Sequence, residues 1–213
     1  MTAGEPLPDC PLCPRLVAFR DTWREKEPGW FNAPVPTFGP RDARLLVVGL
    51  APGLRGANAS GRPFTGDGAG DFLYPALIGS GYATGTYDAR PDDGLELVNC
   101  RITNAVRCVP PGNRPIAAEI RSCNSFLSRE LETLPRLDTV LALGGLAHQA
   151  ILDAIGARRS AFPFAHGAIH DPADGLVLVD SYHCSRLNTN TGRLTWEMFR
   201  HIFTIIAGRH AAG

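Results

Sequence analysis

The chain has 213 residues, and its 21 basic and 21 acidic side chains balance to a net charge of zero. That length suits one domain with a sizeable core, and the ordinary apolar content excludes a disordered chain. No apolar run approaches the roughly 20 residues of a membrane-spanning helix, and Met1–Pro6 carries no basic or apolar leader, so a cytoplasmic protein is expected.

A helical piece over about residues 1–40 is expected to open the chain, and it contains Cys10-Pro11-Leu12-Cys13. Pro34–Pro40 reads as a short connector. Arg44–Gly49 is an apolar run ending in glycine, the pattern of a buried strand. A long glycine-rich loop follows, through Gly49–Gly53 and Gly61–Asp67, then a helix over about Ala69–Ile78. Leu95–Thr103 reads as the second strand. Ala117–Leu134 has helical spacing and follows the helix-blocking Pro110-Pro111. Thr139–Leu143 is the third strand, turned by Gly144-Gly145 into a helix over Leu146–Ile155. Leu176–Ser181 is the fourth strand, and Leu194–Ala207 an amphipathic helix entered through Asn188–Gly192.

Strands alternating with helices imply a three-layer α/β fold. The expectation is one domain over 1–213, with an open, mainly parallel, four-stranded sheet and helices on both faces. Ligands in such sheets bind at the carboxyl ends of the strands. Four unusual segments fall there: Gly49–Gly53, Asn104–Cys108, Gly144-Gly145 and Tyr182–Ser185.

Neutral charge argues weakly against a nucleic-acid partner, but its distribution is uneven. Residues 101–129 hold five arginines and one acid, and residues 183–213 hold four arginines and one acid. Such stretches can form a phosphate-gripping face or an ordinary solvated surface. The six cysteines lack a secretory context, so metal or redox chemistry is favoured over disulfides. Cys10 and Cys13, facing Cys108 and Cys123 from a loop–helix pair, could close a four-thiolate site for zinc or an iron–sulfur cluster. Their spacing does not separate the two metals, and four inert buried thiols are the alternative. Cys100 reads as core and Cys184 as a pocket-wall residue.

In the first loop, Gly49, Ala51 and the neighbouring glycines let backbone approach a ligand closely. Phe64 suits stacking on a planar base. Asp67 could hold a water as general base or merely cap the next helix. His183 follows the fourth strand, where a histidine reads as functional. Asn104 and Asn113 could read a pyrimidine's edge, or form turns.

Taken together, these residues resemble the uracil-DNA glycosylase superfamily over nearly the whole chain, and within it family 5, the type-b group of bacteria and archaea. Gly49-Leu50-Ala51-Pro52 and Gly61–Asp67 look like the first motif and its continuation; His183–Thr189 resembles the second. The resemblance implies a structural four-iron, four-sulfur cluster on Cys10, Cys13, Cys108 and Cys123, with Phe64 as the stacking platform. It implies Asp67 as the substitute for a water-activating side chain that Leu50 cannot supply. Asn113 matches an active-site asparagine of family 5, and Asn104 the base-reading asparagine of family 4. Gly53 departs from the pattern, because family 5 usually carries alanine there and family 4 glycine, which bears on substrate range.

The expected activity is monofunctional hydrolysis of the N-glycosidic bond of uracil in DNA, and of hypoxanthine, xanthine or etheno bases, in base-excision repair. The protein is expected to work as a monomer at the nucleoid. Arg186 would grip phosphate, Leu187 would fill the gap left by the flipped base, and His183 would stabilise charge on the departing base. U:G should be processed better than U:A. The rival is a non-catalytic, cluster- or zinc-stabilised module that binds damaged DNA or nucleotides. An esterase is disfavoured because no GxSxG elbow follows a strand.

Overall fold

The computed structural model describes residues 4–212; the leader-free reading at Met1–Ala3 lies outside them. Seven strands form: β1 Leu45–Gly49, β2 Ala83–Thr84, β3 Glu96–Leu97, β4 Cys100–Asn104, β5 Thr139–Leu143, β6 Ile169–Ala173 and β7 Leu176–Ser181. The helices are α1 Pro14–Lys26, α2 Ala57–Ser60, α3 Gly70–Gly79, α4 Ala117–Thr133, α5 Gly145–Ala154, α6 Arg186–Asn190 and α7 Trp196–Ala212. The main sheet has the order β4-β1-β5-β7-β6, parallel throughout except for β6 against β7. It therefore has five strands where the sequence pattern indicated four. Strand β6 alternates exposed and half-buried residues and contains Pro172, features that suit an edge and hide it from an apolar-run criterion.

The central strands are buried on both faces, as a parallel sheet requires. Leu45, Val47, Leu141, Leu143 and Val179 pack on one side with α3 and α7; Leu46, Val48, Val140, Ala142 and Leu178 pack on the other with α4 and α5. The run expected as one strand over Leu95–Thr103 is broken. Asn99 adopts a left-handed conformation (φ 52°), and its side-chain oxygen accepts the Arg44 amide. Residues before it pair with β2, and those after it form β4.

Strand β1 connects outward to β4, whereas β5 connects the opposite way to β7. The crevice between the carboxyl ends of β1 and β5 is thus the topological switch point, where α/β folds leave room for a ligand. No helix among the described residues is long and apolar enough to cross a membrane.

The arginine-rich stretch is not wholly a surface feature. Arg101 and Arg107 are buried and pair with Glu5 and Glu130, so they tie the N-terminal segment to β4 and α4. Removing either partner would strand a buried charge. Arg114, Arg121, Arg129 and Arg186 remain exposed.

Candidate active site

The loop after β1 is built to bring two side chains together. A Cβ on Gly49 would stand 2.4 Å from Asn104 Oδ1 and 2.6 Å from Phe64 Cζ, so only glycine admits both. Phe64 itself holds a left-handed conformation (φ 54°), which is strained for a non-glycine residue. Its surroundings enforce that geometry. Tyr74 donates to the Pro63 carbonyl at 2.5 Å, and Tyr87 to the Phe64 carbonyl at 3.2 Å. Arg62 pairs with buried Asp93 through two bonds of 2.8 and 2.7 Å, and its guanidinium lies against Phe38, Tyr74 and Tyr87. The bonds from Arg62 hold the Asp93 carboxyl well below the usual carboxylate range, so this clamp is charged at neutral pH.

Asp67 divides its carboxylate between two tasks. Oδ1 accepts the amides of Ala69 and Gly70, at 3.1 and 3.2 Å, at the start of α3. Oδ2 points the other way, between Gly53 and Gly56, where added Cβ atoms would lie 3.0 and 2.7 Å from it. The cap thus orients the carboxylate and leaves one oxygen facing the cleft. Asn113 is comparable. It also holds a left-handed conformation (φ 56°), and its Oδ1 accepts the Leu54 amide at 3.3 Å, bracing the same loop from the far side.

His183 follows β7 with its ring 6.1 Å from Phe64, centroid to centroid. Burial pushes its pKa below the ordinary value, while the nearby Asp67 charge opposes that shift; the imidazole is neutral at neutral pH. Its Nδ1 is buried without a hydrogen-bond partner. The main chain around it is held instead, with Asn188 donating to the His183 carbonyl at 2.8 Å. Cys184 is fully buried in the core under Ala69 and lines neither cavity, so the pocket-wall reading is corrected. Arg186 lies across Gly68, where an added Cβ would come within 2.2 Å of Nε. Leu187, at the solvent side of α6, is 73% exposed.

These groups surround two connected spaces. An inner recess of about 30 Å³ is lined by Ala51, Phe64, Asp67, Asn104 and His183; an outer cleft of about 360 Å³ adds Leu50, Asn113, Ser185 and Arg186. Gly49 backs the recess and does not line it. A larger cleft, about 510 Å³, lies at the amino ends of the strands. There Asp138 binds Arg44 at 2.6 Å and His210 at 3.0 Å, while Asp171, Asp174 and Arg209 line it from exposed positions.

The four cysteines converge elsewhere, on one apolar hollow with Leu16, Val106 and Phe126. Cys13 begins α1 and Cys123 lies on α4; Arg15 joins the two helices through a two-bond pair with Glu119, each 2.7 Å. Burial, reinforced by the neighbouring thiols, pushes Cys108 up to about 12 and Cys123 up to about 11.

A profile of the Uracil DNA glycosylase superfamily matches residues 36–207. The chain belongs to the uracil-DNA glycosylase superfamily. It is 47% identical over 202 residues to the type-5 uracil-DNA glycosylase of Thermus thermophilus, covering 92% of this chain and 91% of that protein. It is 44% identical to the type-5 enzyme of Pyrobaculum aerophilum, over 92% and 87% of the two chains. A type-4 uracil-DNA glycosylase of Archaeoglobus fulgidus is 34% identical over 56% of this chain and 52% of its own.

Within this superfamily member, the fold brings Phe64, Asp67, Asn104, Asn113 and His183 to one cleft from four separate segments. The sequence did not reveal the devices beneath them. The Arg62–Asp93 clamp, the Asn188 bond to His183 and the Arg186 packing on Gly68 join residues with no pattern linking them.

Proposed function

We propose that the protein is a monofunctional uracil-DNA glycosylase. The observation that carries this reading is the convergence of an aromatic platform, a half-engaged carboxylate and a neutral histidine at the switch point of a chain belonging to this superfamily. The target base must leave the duplex to reach the recess. Phe64 stacks on it, and the Asn104 and Asn113 amides read its edge. Asp67 Oδ2 orients a water toward the sugar carbon, while Oδ1 stays on the helix amides. As the carbon–nitrogen bond breaks, the base departs with the bonding pair. His183, neutral through burial, stabilises the charge growing on the base oxygen. The exposed Leu187 enters the gap in the stack, and Arg186 grips a flanking phosphate.

Hypoxanthine, xanthine and etheno bases are further substrates under this reading; a mismatched uracil unstacks more cheaply, so U:G precedes U:A. The test is single-turnover excision from oligonucleotides carrying each base, read by alkaline cleavage of the abasic product. Uracil release supports the reading. Tight binding with no release would favour a non-catalytic damage-binding module.

We also propose that Cys10, Cys13, Cys108 and Cys123 hold a four-iron, four-sulfur cluster that braces α1 against α4. The donor set is four thiols, which suits iron–sulfur or zinc. All four thiols line one hollow between α1 and α4. The Arg107 amide donates to Cys123 Sγ at 3.3 Å, and the charges of Arg20 and Arg107 favour the thiolate forms of Cys108 and Cys123 against the effect of burial. Cys10 and Cys13 would hold the cluster from the α1 side and Cys108 and Cys123 from the α4 side, where it would supply a structural link. Iron and sulfide analysis of anaerobically purified protein tests this; zinc in a colourless protein contradicts it.

A further inference from the structure

His183 has no hydrogen-bond partner for its Nδ1, so its ring is aimed by its main chain. Four contacts fix that chain. Gly144 donates its amide to the Ser181 carbonyl at 2.8 Å, Asn188 donates to the His183 carbonyl at 2.8 Å, Tyr182 donates its amide to His166 Nδ1 at 3.1 Å, and Ser181 Oγ donates to the Tyr182 carbonyl at 2.9 Å. The third is unusual. A backbone amide at the end of a strand finds a side chain 16 residues earlier rather than another strand. Because an amide can only donate, His166 Nδ1 must present a lone pair, and the proton of the neutral ring sits on Nε2. Burial pushes the His166 pKa below its ordinary value, in keeping with an acceptor that must stay neutral. The ring also lies on Tyr182 at 5.0 Å and 20°, and the Arg193 guanidinium lies 4.7 Å from the same tyrosine. Tyr182 is thereby clamped through both its amide and its ring, one residue before His183.

We propose that His166 is a positioning residue that fixes the Tyr182–His183 main chain and so aims the His183 imidazole at the recess. The inference rests on the leaving-group role proposed for His183. A half-buried side chain accepting the Tyr182 amide removes the freedom of the strand end to twist, and small misplacements of a reacting group are expensive. The neutral Nε2–H form is required; a proton on Nδ1 would set a donor against the amide.

The test uses full-length, metal-loaded protein with three changes. His166→Leu removes the acceptor. His166→Asn restores one, because its Oδ1 can take the place of Nδ1. His183→Ala supplies the background for a double-mutant cycle. Single-turnover uracil excision, DNA affinity and hydrogen exchange at the Tyr182 amide are measured together. His166→Leu should slow excision about 10- to 100-fold with unchanged DNA affinity, His166→Asn should recover most of that loss, and His166→Leu should cost nothing further on His183→Ala. A His166→Leu loss that persists undiminished in the His183→Ala background overturns the proposal, as does a folded His166→Asn protein no faster than His166→Leu. If His183→Ala alone excises at the normal rate, the role proposed for His183 falls. The exchange data then judge His166 by themselves. Tyr182 protection lost in the leucine variant and kept in the asparagine variant upholds the anchor, and equal protection in all three proteins overturns it.

Discussion

The two ends of the central sheet carry polar clefts of opposite character. At the amino ends, the larger cleft of about 510 Å³ is rich in charge, and its half-buried charges pair with one another. Asp138 binds Arg44 and His210, and His210 in turn meets Tyr82 at 2.8 Å. At the carboxyl ends, the cleft is smaller, yet its groups are left partly unspent. Asp67 keeps Oδ2 free of the helix cap, and His183 Nδ1 is buried with nothing to bond. Buried polar groups are normally satisfied, so an orphan nitrogen on a residue that lines both spaces suits a ligand that completes the pairing. Unsatisfied chemistry, more than volume, distinguishes the functional end.

Substitutions at the two ends should therefore behave differently. At the carboxyl end, His183→Ala should lower single-turnover excision by about 10²–10³-fold, the range for losing one stabiliser of a developing anion. The loss should shrink for bases that leave more readily. Equal losses for good and poor leaving groups would remove the leaving-group role. Phe64→Ala should weaken capture of the flipped base by about 1–3 kcal/mol, the range for a lost base stack, read as affinity for DNA carrying a non-cleavable uridine analogue.

The amino end should respond in stability and not in rate. Asp138→Asn should cost about 1–3 kcal/mol of unfolding free energy, the range for a disrupted partly buried charged bond, with excision per folded molecule unchanged. Burial opposes the ionised form, but bonds from Thr139 and Arg44 outweigh it and hold the Asp138 carboxyl below its ordinary value of 3.8. A depressed folded pKa contributes stability above the unfolded value and loses it as pH falls through the folded one. The gap between wild type and Asp138→Asn should accordingly close as pH drops below about 4. A gap that is constant with pH, or an excision defect in this variant, would erase the distinction between the ends.

Much of the sheet was legible because parallel strands buried on both faces are written as short apolar runs. Thr139–Leu143 and Leu176–Ser181 were read to the residue. Edge strand β6 was hidden by its polar alternation, and α6 by an asparagine- and threonine-rich sequence that reads as loop. Phe64 and Asp67 stood out because they punctuate a glycine-rich loop, and His183 because it follows the carboxyl end of a strand. Arg101 and Arg107 misled, since a count of basic residues cannot tell a surface arginine from one buried against glutamate. His166 gave no signal. Its part depends on one ring nitrogen and an amide brought beside it only by the fold.

The central claim is that Asp67 serves the cleft with one oxygen while capping α3 with the other. Asparagine accepts the Ala69 and Gly70 amides about as well as aspartate but cannot act as a base. Single-turnover excision of uracil by Asp67→Asn protein, alongside its melting temperature and affinity for uracil DNA, is the most direct measurement. The account predicts a rate lower by about 10²–10⁴-fold with stability and binding retained. A rate near that of the wild type would reduce Asp67 to a helix cap and transfer the water-orienting role to Asn113.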